Sequence, residues 1–242
     1  MGVYRYRNAP VLLRLINEAT LYGWEARFWS LDQCHPSLAA YSAGVGAGSK
    51  FSLLNRLLRE EDFNSFDWII VSDDDFILEQ GSLAVLLALA GKARLAIAQP
   101  AHSLTSFSNH PITLCNPSAI ARLTTFVEIG PLFSVNREWY ERIFPFPDNI
   151  GMGWGLDIAW SDLRTSGAHL GIVDWVALRH LQPAAEAYDS SPERTRLQEA
   201  LKCRGFRSLA DFQKTLDVWR VWQSGPPWLN GQSQPATRAA SE

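Results

Sequence analysis

The sequence predicts an α/β protein with a mainly parallel central sheet. In its first half, segments with helical periodicity alternate with short apolar segments of strand character. One of these, Trp68–Ser72, is nearly continuous in apolar residues, as is typical of strands buried on both faces of a parallel sheet. A chain of 242 residues, 47% of them hydrophobic, is long enough to bury such a sheet within one large domain.

The first half is predicted to be regular. Only the stretch VYRYRN precedes Pro10, so the first strand is expected to be short or truncated. A glycine-rich loop then precedes the second helix, for which Ser49 is a suitable N-cap. The predicted elements are helix 9–22, strand 25–31, helix 49–60, strand 68–72, helix 80–90 and strand 94–99.

The second half is less regular. Residues 102–125 are predicted to form a loop, and the tail from Ser224 is rich in Pro, Gly, Ser and Gln, which predicts disorder over 224–242. A single domain would therefore span 1–223. The remaining predicted elements are strand 126–135, helix 137–143, helix 156–166, strand 170–178 and one or two helices within 193–222.

Composition excludes several classes of protein. The formal net charge is −3, so the chain lacks the basic excess expected of a nucleic-acid partner. The longest apolar run, 83–90, is too short for a transmembrane segment. Cys34, Cys115 and Cys203 have no paired spacing, which favours free thiols in a reducing compartment. We expect a cytoplasmic protein, at most peripheral to a membrane.

Three consecutive carboxylates, Asp73, Asp74 and Asp75, follow the buried strand 68–72. In an extended chain Asp73 and Asp75 point the same way, so they could bind one divalent cation, and hard carboxylates favour Mg²⁺ or Mn²⁺. Asp74 would be left for a ribose hydroxyl or a neighbouring backbone amide. The alternative is a solvated turn, but the end of a buried parallel strand is where open α/β sheets bind ligands.

The loop GVGAGSK, which ends at Lys50, fits neither a phosphate-binding Walker loop nor a dinucleotide-binding fingerprint. A flexible loop before a helix N-terminus could still contact a phosphate. A plain loop with a solvated lysine is an equally good interpretation.

The stretch IGMGWGLDIAW is a second candidate site. Gly153 and Gly155 would let the backbone pass close to a ligand, Trp154 offers a stacking face, and Asp157 would lie in the first turn of a helix. Glu128 is a carboxylate within an apolar strand, where burying an unpaired charge is costly. His180 ends a predicted strand and matters only if the fold brings it to Asp73 and Asp75.

These features occur in an order that resembles GT-A-type glycosyltransferases. More narrowly, the segments VEIGPLFSVNREWY, GWGLDIAW and GIVDWVALRH resemble a little-characterised glycosyltransferase-like family of unknown function from plants and bacteria. The resemblance covers about 8–183. It implies a Rossmann-like α/β/α sandwich, with a nucleotide-sugar-binding half at 1–100, an acceptor and catalytic half at 101–183 and C-terminal helices at 184–223.

The resemblance also implies a reaction, the transfer of a sugar with inversion from a nucleotide sugar, UDP by default, to a saccharide, lipid-linked or small-molecule hydroxyl. It implies that Mn²⁺ or Mg²⁺ is held by Asp73, Asp75 and His180, and that Asp157 is the general base. The other predicted contacts are Asp73, Asp74, Asp75 and Lys50 with the donor, and Glu128, Gly153, Trp154 and Gly155 with the acceptor or sugar.

Two alternatives stay open. A nucleotidyltransferase would use carboxylates and Mg²⁺ on a similar sheet, but would normally carry an early basic glycine-rich loop, which GVGAGSK matches poorly. A non-catalytic relative that binds a carbohydrate or a partner would keep the fold and bind nucleotide sugars weakly or not at all.

Overall fold

The structure, a computed structural model, describes residues 1–60, 62–148, 150–183 and 190–229. Within these residues the strands are β1 Gly2–Tyr4, β2 Phe28–Ser30, β3 Ser42–Val45, β4 Trp68–Ser72, β5 Phe76–Gln80, β6 Ile97–His102, β7 Ala119–Thr124, β8 Leu132–Asn136, β9 Leu170–His180 and β10 Thr215–Arg220. The α-helices are α1 Ala9–Leu21, α2 Lys50–Glu60, α3 Leu83–Lys92, α4 Tyr140–Ile143, α5 Leu156–Ala159, α6 Ser191–Cys203 and α7 Leu209–Phe212. Short 3₁₀ helices lie at Tyr6–Asn8, Pro36–Tyr41, Phe63–Ser65, Pro111–Thr113, Arg137–Trp139, Trp160–Ser166 and Pro227–Leu229.

The strands form one sheet in the order β10-β7-β9-β6-β8-β4-β1-β2-β3, and β5 pairs with β9 outside this path. The pairings make β1, β2, β3, β4, β6, β9 and β10 run in one direction, whereas β5, β7 and β8 run in the other. The predicted α/β fold with a mainly parallel sheet is therefore confirmed.

Side-chain alternation along β4 explains the layers. Ile69 and Val71 are buried against the residues of α2, whereas Trp68 and Ile70 pack toward the cluster that contains α3. The two faces of one strand thus contact helices on opposite sides of the sheet, as period-two alternation requires. The sheet is sandwiched between helices, and the carboxyl ends of its parallel strands share one edge.

Several predicted elements are confirmed, among them α1, α2, β4 and β9, with ends that differ by a few residues. The helix predicted at 80–90 begins later, at Leu83, where the Ser82 hydroxyl caps the Val85 amide at 3.2 Å. The apolar residues before it form β5, which pairs antiparallel with β9. A short apolar run fits a helix or a strand equally well, and here pairing with β9 decides.

The second half differs from prediction in three places. The predicted loop 102–125 contains β7, which lies between β9 and β10. The region 193–222 holds the predicted helices, α6 and α7, but also the strand β10, which was not predicted. In the predicted strand 126–135, only the part from Leu132 onward is a strand. All three errors concern antiparallel additions to the sheet, whose strand character comes from non-local partners.

The predicted disordered tail begins at Ser224, but residues up to 229 are described. Pro227–Leu229 form a 3₁₀ helix, and the Trp228 indole donates a hydrogen bond of 3.0 Å to the Ala93 carbonyl. Disorder is therefore the wrong prediction for 224–229, and 230–242 lie outside the described residues. Among the described helices, none has the length and apolar character needed to cross a membrane.

Candidate functional site

A cleft of about 610 Å³ lies where parallel strands end. Arg5 follows β1, Asp73 follows β4, and His180 is the last residue of β9. The charged residues that border the cleft are Arg5, Arg7, Lys50, Asp73, Asp74, Asp75 and Glu128. The cleft therefore gathers acidic and basic side chains at the edge of the sheet where α/β proteins bind ligands.

Lys50 and Asp73 form an ion pair at one side of the cleft. The Lys50 Nζ lies 2.7 Å from Asp73 Oδ1 and also donates to the Ile129 carbonyl at 2.9 Å. Lys50 is only 6% exposed, because α2 begins at this residue beneath the cleft. Burial raises the pKa of Asp73 and Lys50 opposes this rise. The alternative of a solvated lysine is therefore wrong.

Asp74 and Asp75 have different partners. Asp74 Oδ2 accepts the Arg5 amide at 2.6 Å, a contact with a neighbouring strand end, and burial raises the pKa of Asp74 to about 6. Asp75 Oδ2 lies 3.2 Å from His180 Nε2. Pairing of β5 with β9 creates this contact, since Phe76 is opposite His180 in the register and the Leu181 amide donates to the Asp75 carbonyl.

These side chains fit a divalent metal in part. Asp75 and His180 offer an oxygen and a nitrogen donor within one small space that opens to the cleft. Asp73, the third predicted ligand, is held by Lys50, and across the described ranges no three His, Cys, Asp or Glu side chains are grouped closely enough to hold an ion. The chemistry of the donor set therefore fits an ion held by Asp75 and His180 whose other ligands are water or ligand oxygens.

In the glycine-rich loop before α5, Trp154 is accessible from the cleft and the two glycines that flank it are buried. Trp154 borders the cleft, whereas Gly153 and Gly155 are buried and have positive φ of 91° and 95°. A Cβ at Gly153 would lie 2.1 Å from the Phe51 ring. Both glycines therefore determine the backbone conformation of the loop on its buried side. They do not border the cleft, where the predicted contact with the acceptor or sugar would occur.

Asp157 lies behind this loop, at the start of α5. It is 4% exposed and does not border the cleft. Its Oδ1 accepts the Gly155 amide at 3.2 Å and the Ile158 amide at 2.9 Å. Burial raises the pKa of Asp157 to about 7, although these amides oppose the rise. The carboxylate thus holds its own helix start together.

Glu128 reaches the cleft from the segment between β7 and β8. Its Oε2 lies 3.3 Å from His102 Nε2 and its Oε1 lies 3.7 Å from His110 Nε2. The Glu128 amide donates to Gln99 Oε1 at 2.6 Å, which fixes the backbone against β6. Burial, reinforced by the charge of Asp157, raises the pKa of Glu128 well above its ordinary value.

The sequence analysis missed four residues of this site: Arg5, Arg7, His102 and His110. Arg5 and His102 had a signal, because each stands where a strand ends, as His180 does. The same rule applied to every strand would have found them. His110 has no such signal, because it lies in irregular chain and meets Glu128 only through the tertiary fold.

No protein-family model matches the chain, and no curated protein matches it in sequence. Among solved structures it is similar to GalNAc-T7 solved with UDP, GalNAc and Mn²⁺, with a TM-score of 0.56 and 12% identity over 79% of this chain and 46% of that one. It is also matched to the inositol-1-phosphate CTP transferase from T. maritima, with a TM-score of 0.41 and 9% identity over 78% of this chain and 83% of that one. The chain spans about half the length of the GalNAc-T7 chain, and this likeness shows that it has a GT-A-like fold.

Proposed function

We propose that the chain is a glycosyltransferase that moves a sugar, with inversion, from a nucleotide sugar to a hydroxyl acceptor. The observation that carries this proposal is the cleft, which joins three consecutive aspartates to basic side chains at the ends of parallel strands. The GT-A-like fold supports it, since the similar GalNAc-T7 structure contains UDP, GalNAc and Mn²⁺. UDP is the default donor nucleotide.

The basic side chains of the cleft suit the donor's diphosphate. Arg5 and Arg7 come from the segment just after β1, and Lys50 comes from the start of α2. Guanidinium groups bind phosphate oxygens with two parallel hydrogen bonds, and an ammonium group adds a point charge. These three residues would bind and orient the diphosphate, while Asp74 would meet the ribose.

A divalent ion would be held by Asp75 and His180. Bound there, Mn²⁺ or Mg²⁺ would neutralise charge that develops on the leaving diphosphate. Asp73 would join the ligands only if Lys50 turned away toward the diphosphate. Lys50 would then exchange its ion pair with Asp73 for an ion pair with the diphosphate of the donor.

The acceptor would enter on the side of Trp154 and Glu128. The indole of Trp154 is partly exposed and offers an apolar face against which a sugar ring can pack. The reaction also needs a base for the proton of the acceptor hydroxyl. Two carboxyls near the cleft, those of Asp157 and Glu128, have pKa values raised by burial.

The test is a panel of nucleotide sugars with Mn²⁺ or Mg²⁺, read by release of nucleoside diphosphate. Turnover of one donor is expected, and the double variant Asp75→Asn, His180→Gln should abolish it. The matched control is Asp67→Asn. Asp67 precedes the other end of β4, is 79% exposed and pairs with Arg137 far from the cleft.

Other outcomes would replace the proposal. Release of pyrophosphate from a nucleoside triphosphate would indicate a nucleotidyltransferase. Binding of UDP without turnover of any donor, or no binding at all, would favour the non-catalytic relative.

A further inference from the structure

Glu128, His102 and His110 form a cluster of titratable side chains to which the sequence assigned no common role. They come from three separate segments of the chain, and their side chains are 14%, 0% and 12% exposed. Glu128 is the member that borders the cleft. The ring of His102 is also a neighbour of the ring of His180, with 6.4 Å between their centroids.

Glu128 and His102 contact each other through two buried polar atoms, each of which needs a hydrogen bond. Glu128 Oε2 and His102 Nε2 are both buried, neither has a hydrogen-bond partner among the described residues, and they lie 3.3 Å apart. Two lone pairs facing each other in a buried place would repel, and each group would lose its hydrogen bond. A single proton between the two atoms satisfies both.

The surroundings of His102 indicate which atom carries this proton. Ser106 Oγ lies 3.2 Å from His102 Nδ1, donates to the Phe107 carbonyl and accepts the His180 amide. We assign the Ser106 hydrogen to the Phe107 carbonyl, which can only accept, so Nδ1 is the donor in the contact with Ser106. The neutral ring then has a lone pair at Nε2, so the proton resides on Glu128 Oε2.

His110 approaches the other oxygen of the same carboxyl. The Gln213 side-chain amide nitrogen lies 2.8 Å from His110 Nδ1 and donates to it. The neutral His110 ring therefore carries its hydrogen on Nε2, directed toward Glu128 Oε1 at 3.7 Å. This distance is too long for a hydrogen bond, which leaves Oε1 available to a substrate.

We propose that Glu128 is the catalytic residue that receives the proton of the acceptor hydroxyl, with His102 and His110 as its positioning residues. This inference rests on the proposed glycosyl transfer. It takes the role of base from Asp157, whose carboxylate is turned to two backbone amides and does not border the cleft.

The proposed step is balanced in atoms and charge. The acceptor oxygen forms a bond to the anomeric carbon, and the bond from that carbon to the diphosphate oxygen breaks, leaving its electron pair on the diphosphate. The acceptor proton passes to Glu128 Oε1, while the proton on Oε2 passes to His102 Nε2. The positive charge gained by His102 accompanies the negative charge gained by the diphosphate.

A weak base is sufficient for this step. The His102 side chain is completely buried, so a positive charge on its ring is disfavoured. A hydroxyl that attacks an oxocarbenium-like carbon becomes a strong acid as the new bond forms. The pair of Glu128 and His102 can therefore be a weak base. It stays neutral before the reaction and accepts the proton of the acceptor hydroxyl late in bond formation.

The first experiment compares Glu128→Gln with wild type on the donor found active in the panel. Glutamine keeps the volume but cannot accept the proton, so turnover should fall by ~10²–10⁴-fold, while UDP binding with Mn²⁺ stays within twofold. Glu79→Gln, a surface glutamate paired with Arg179, is the matched control and should match wild type. If Glu128→Gln unfolds, Glu128→Asp replaces it and should retain part of the turnover.

The second experiment does not depend on activity. Nitrogen-15 NMR of the histidine rings at pH 7 should show His102 neutral with its hydrogen on Nδ1. An imidazolium, or a hydrogen on Nε2, would overturn the shared proton. Near-normal turnover of Glu128→Gln would overturn the catalytic role while the glycosyltransferase proposal stands, whereas absence of any donor turnover by wild type would overturn both.

Discussion

The two walls of the cleft compensate their carboxyl groups in different ways. The aspartate wall, made of Asp73, Asp74, Asp75, Lys50 and His180, takes its acids from one short stretch of chain and pairs Asp73 with an ammonium group at 2.7 Å. The histidine wall, made of Glu128, which borders the cleft, and of His102 and His110, which contact Glu128 away from the cleft, is collected from three segments. In the described part of the chain its carboxyl faces two imidazoles, and burial lowers the pKa values of both to about 4.

This difference has a physical consequence. A buried carboxyl can be tolerated as an anion beside a cation, or as a neutral acid that has kept its proton. The aspartate wall uses the first solution and is suited to exchange one cation for another, as binding of a charged ligand requires. In the histidine wall the carboxyl of Glu128 is a neutral acid, so no lysine is needed to neutralise it. A carboxyl that holds a proton is suited to proton transfer.

The largest effect is expected from Lys50→Met. This change leaves Asp73 without its partner, and we expect a loss of about 3 kcal/mol in the free energy of unfolding, near the lower end for such pairs because Asp73 still borders the cleft. Chemical denaturation followed by circular dichroism measures it.

The double variant Lys50→Met, Asp73→Asn is the control, because it removes both charges. It should recover most of the lost stability. If it is as unstable as the single variant, the packing of the lysine stem matters more than the ion pair, and the contrast between the walls is lost.

The second prediction concerns Asp75 and tests whether the aspartate wall binds a cation. Changing a partner of a metal ligand already costs roughly 10- to 100-fold in metal affinity, so Asp75→Asn should weaken Mn²⁺ binding in the presence of UDP by at least about that factor. Isothermal titration measures it, with Asp67→Asn, at the opposite end of β4, as control. Unchanged affinity would remove Asp75 from the metal ligands.

The aspartate wall could be predicted because its signal is local. Asp73, Asp74 and Asp75 are adjacent and follow a strand whose apolar run identifies it as buried, and His180 ends another strand. The predicted proximity of His180 and Asp75 is matched by a distance of 3.2 Å, and the antiparallel pairing of β5 with β9 produces it.

The histidine wall could not be predicted because its signal is tertiary. No sequence feature within ten residues of Glu128 indicates that His102 or His110 lies next to it. The segments between them were also misjudged: β7 was predicted as loop, and the chain around Glu128 was predicted as strand. Where sheet pairing with distant strands decides the local structure, the sequence cannot indicate which side chains meet.

The third prediction is that Asp157→Asn reduces turnover by about tenfold or less, since a group that only positions a loop does not take part in proton transfer. UDP binding should stay unchanged. Steady-state kinetics beside Glu128→Gln make the comparison. A loss of ~10²–10⁴-fold, the usual worth of a general base, would return that role to Asp157 and reduce the histidine wall to a structural feature.

The smallest effect, and the most specific, is the pH dependence of stability in Asp157→Asn. Burial raises the pKa of Asp157 from 3.8 to about 7 in the folded protein, so the folded state binds this proton more tightly than the unfolded state. The resulting stabilisation is complete at pH values below the unfolded pKa and is lost as the pH rises through the folded pKa.

Asparagine does not titrate, so the melting temperature of the variant relative to wild type should increase between about pH 4 and pH 7 and then level off. Thermal unfolding in a series of buffers measures the difference. If the difference is flat or decreases with pH, Asp157 is an ordinary anion held by its two amides, and Glu128 in the histidine wall remains the buried carboxyl that is kept neutral.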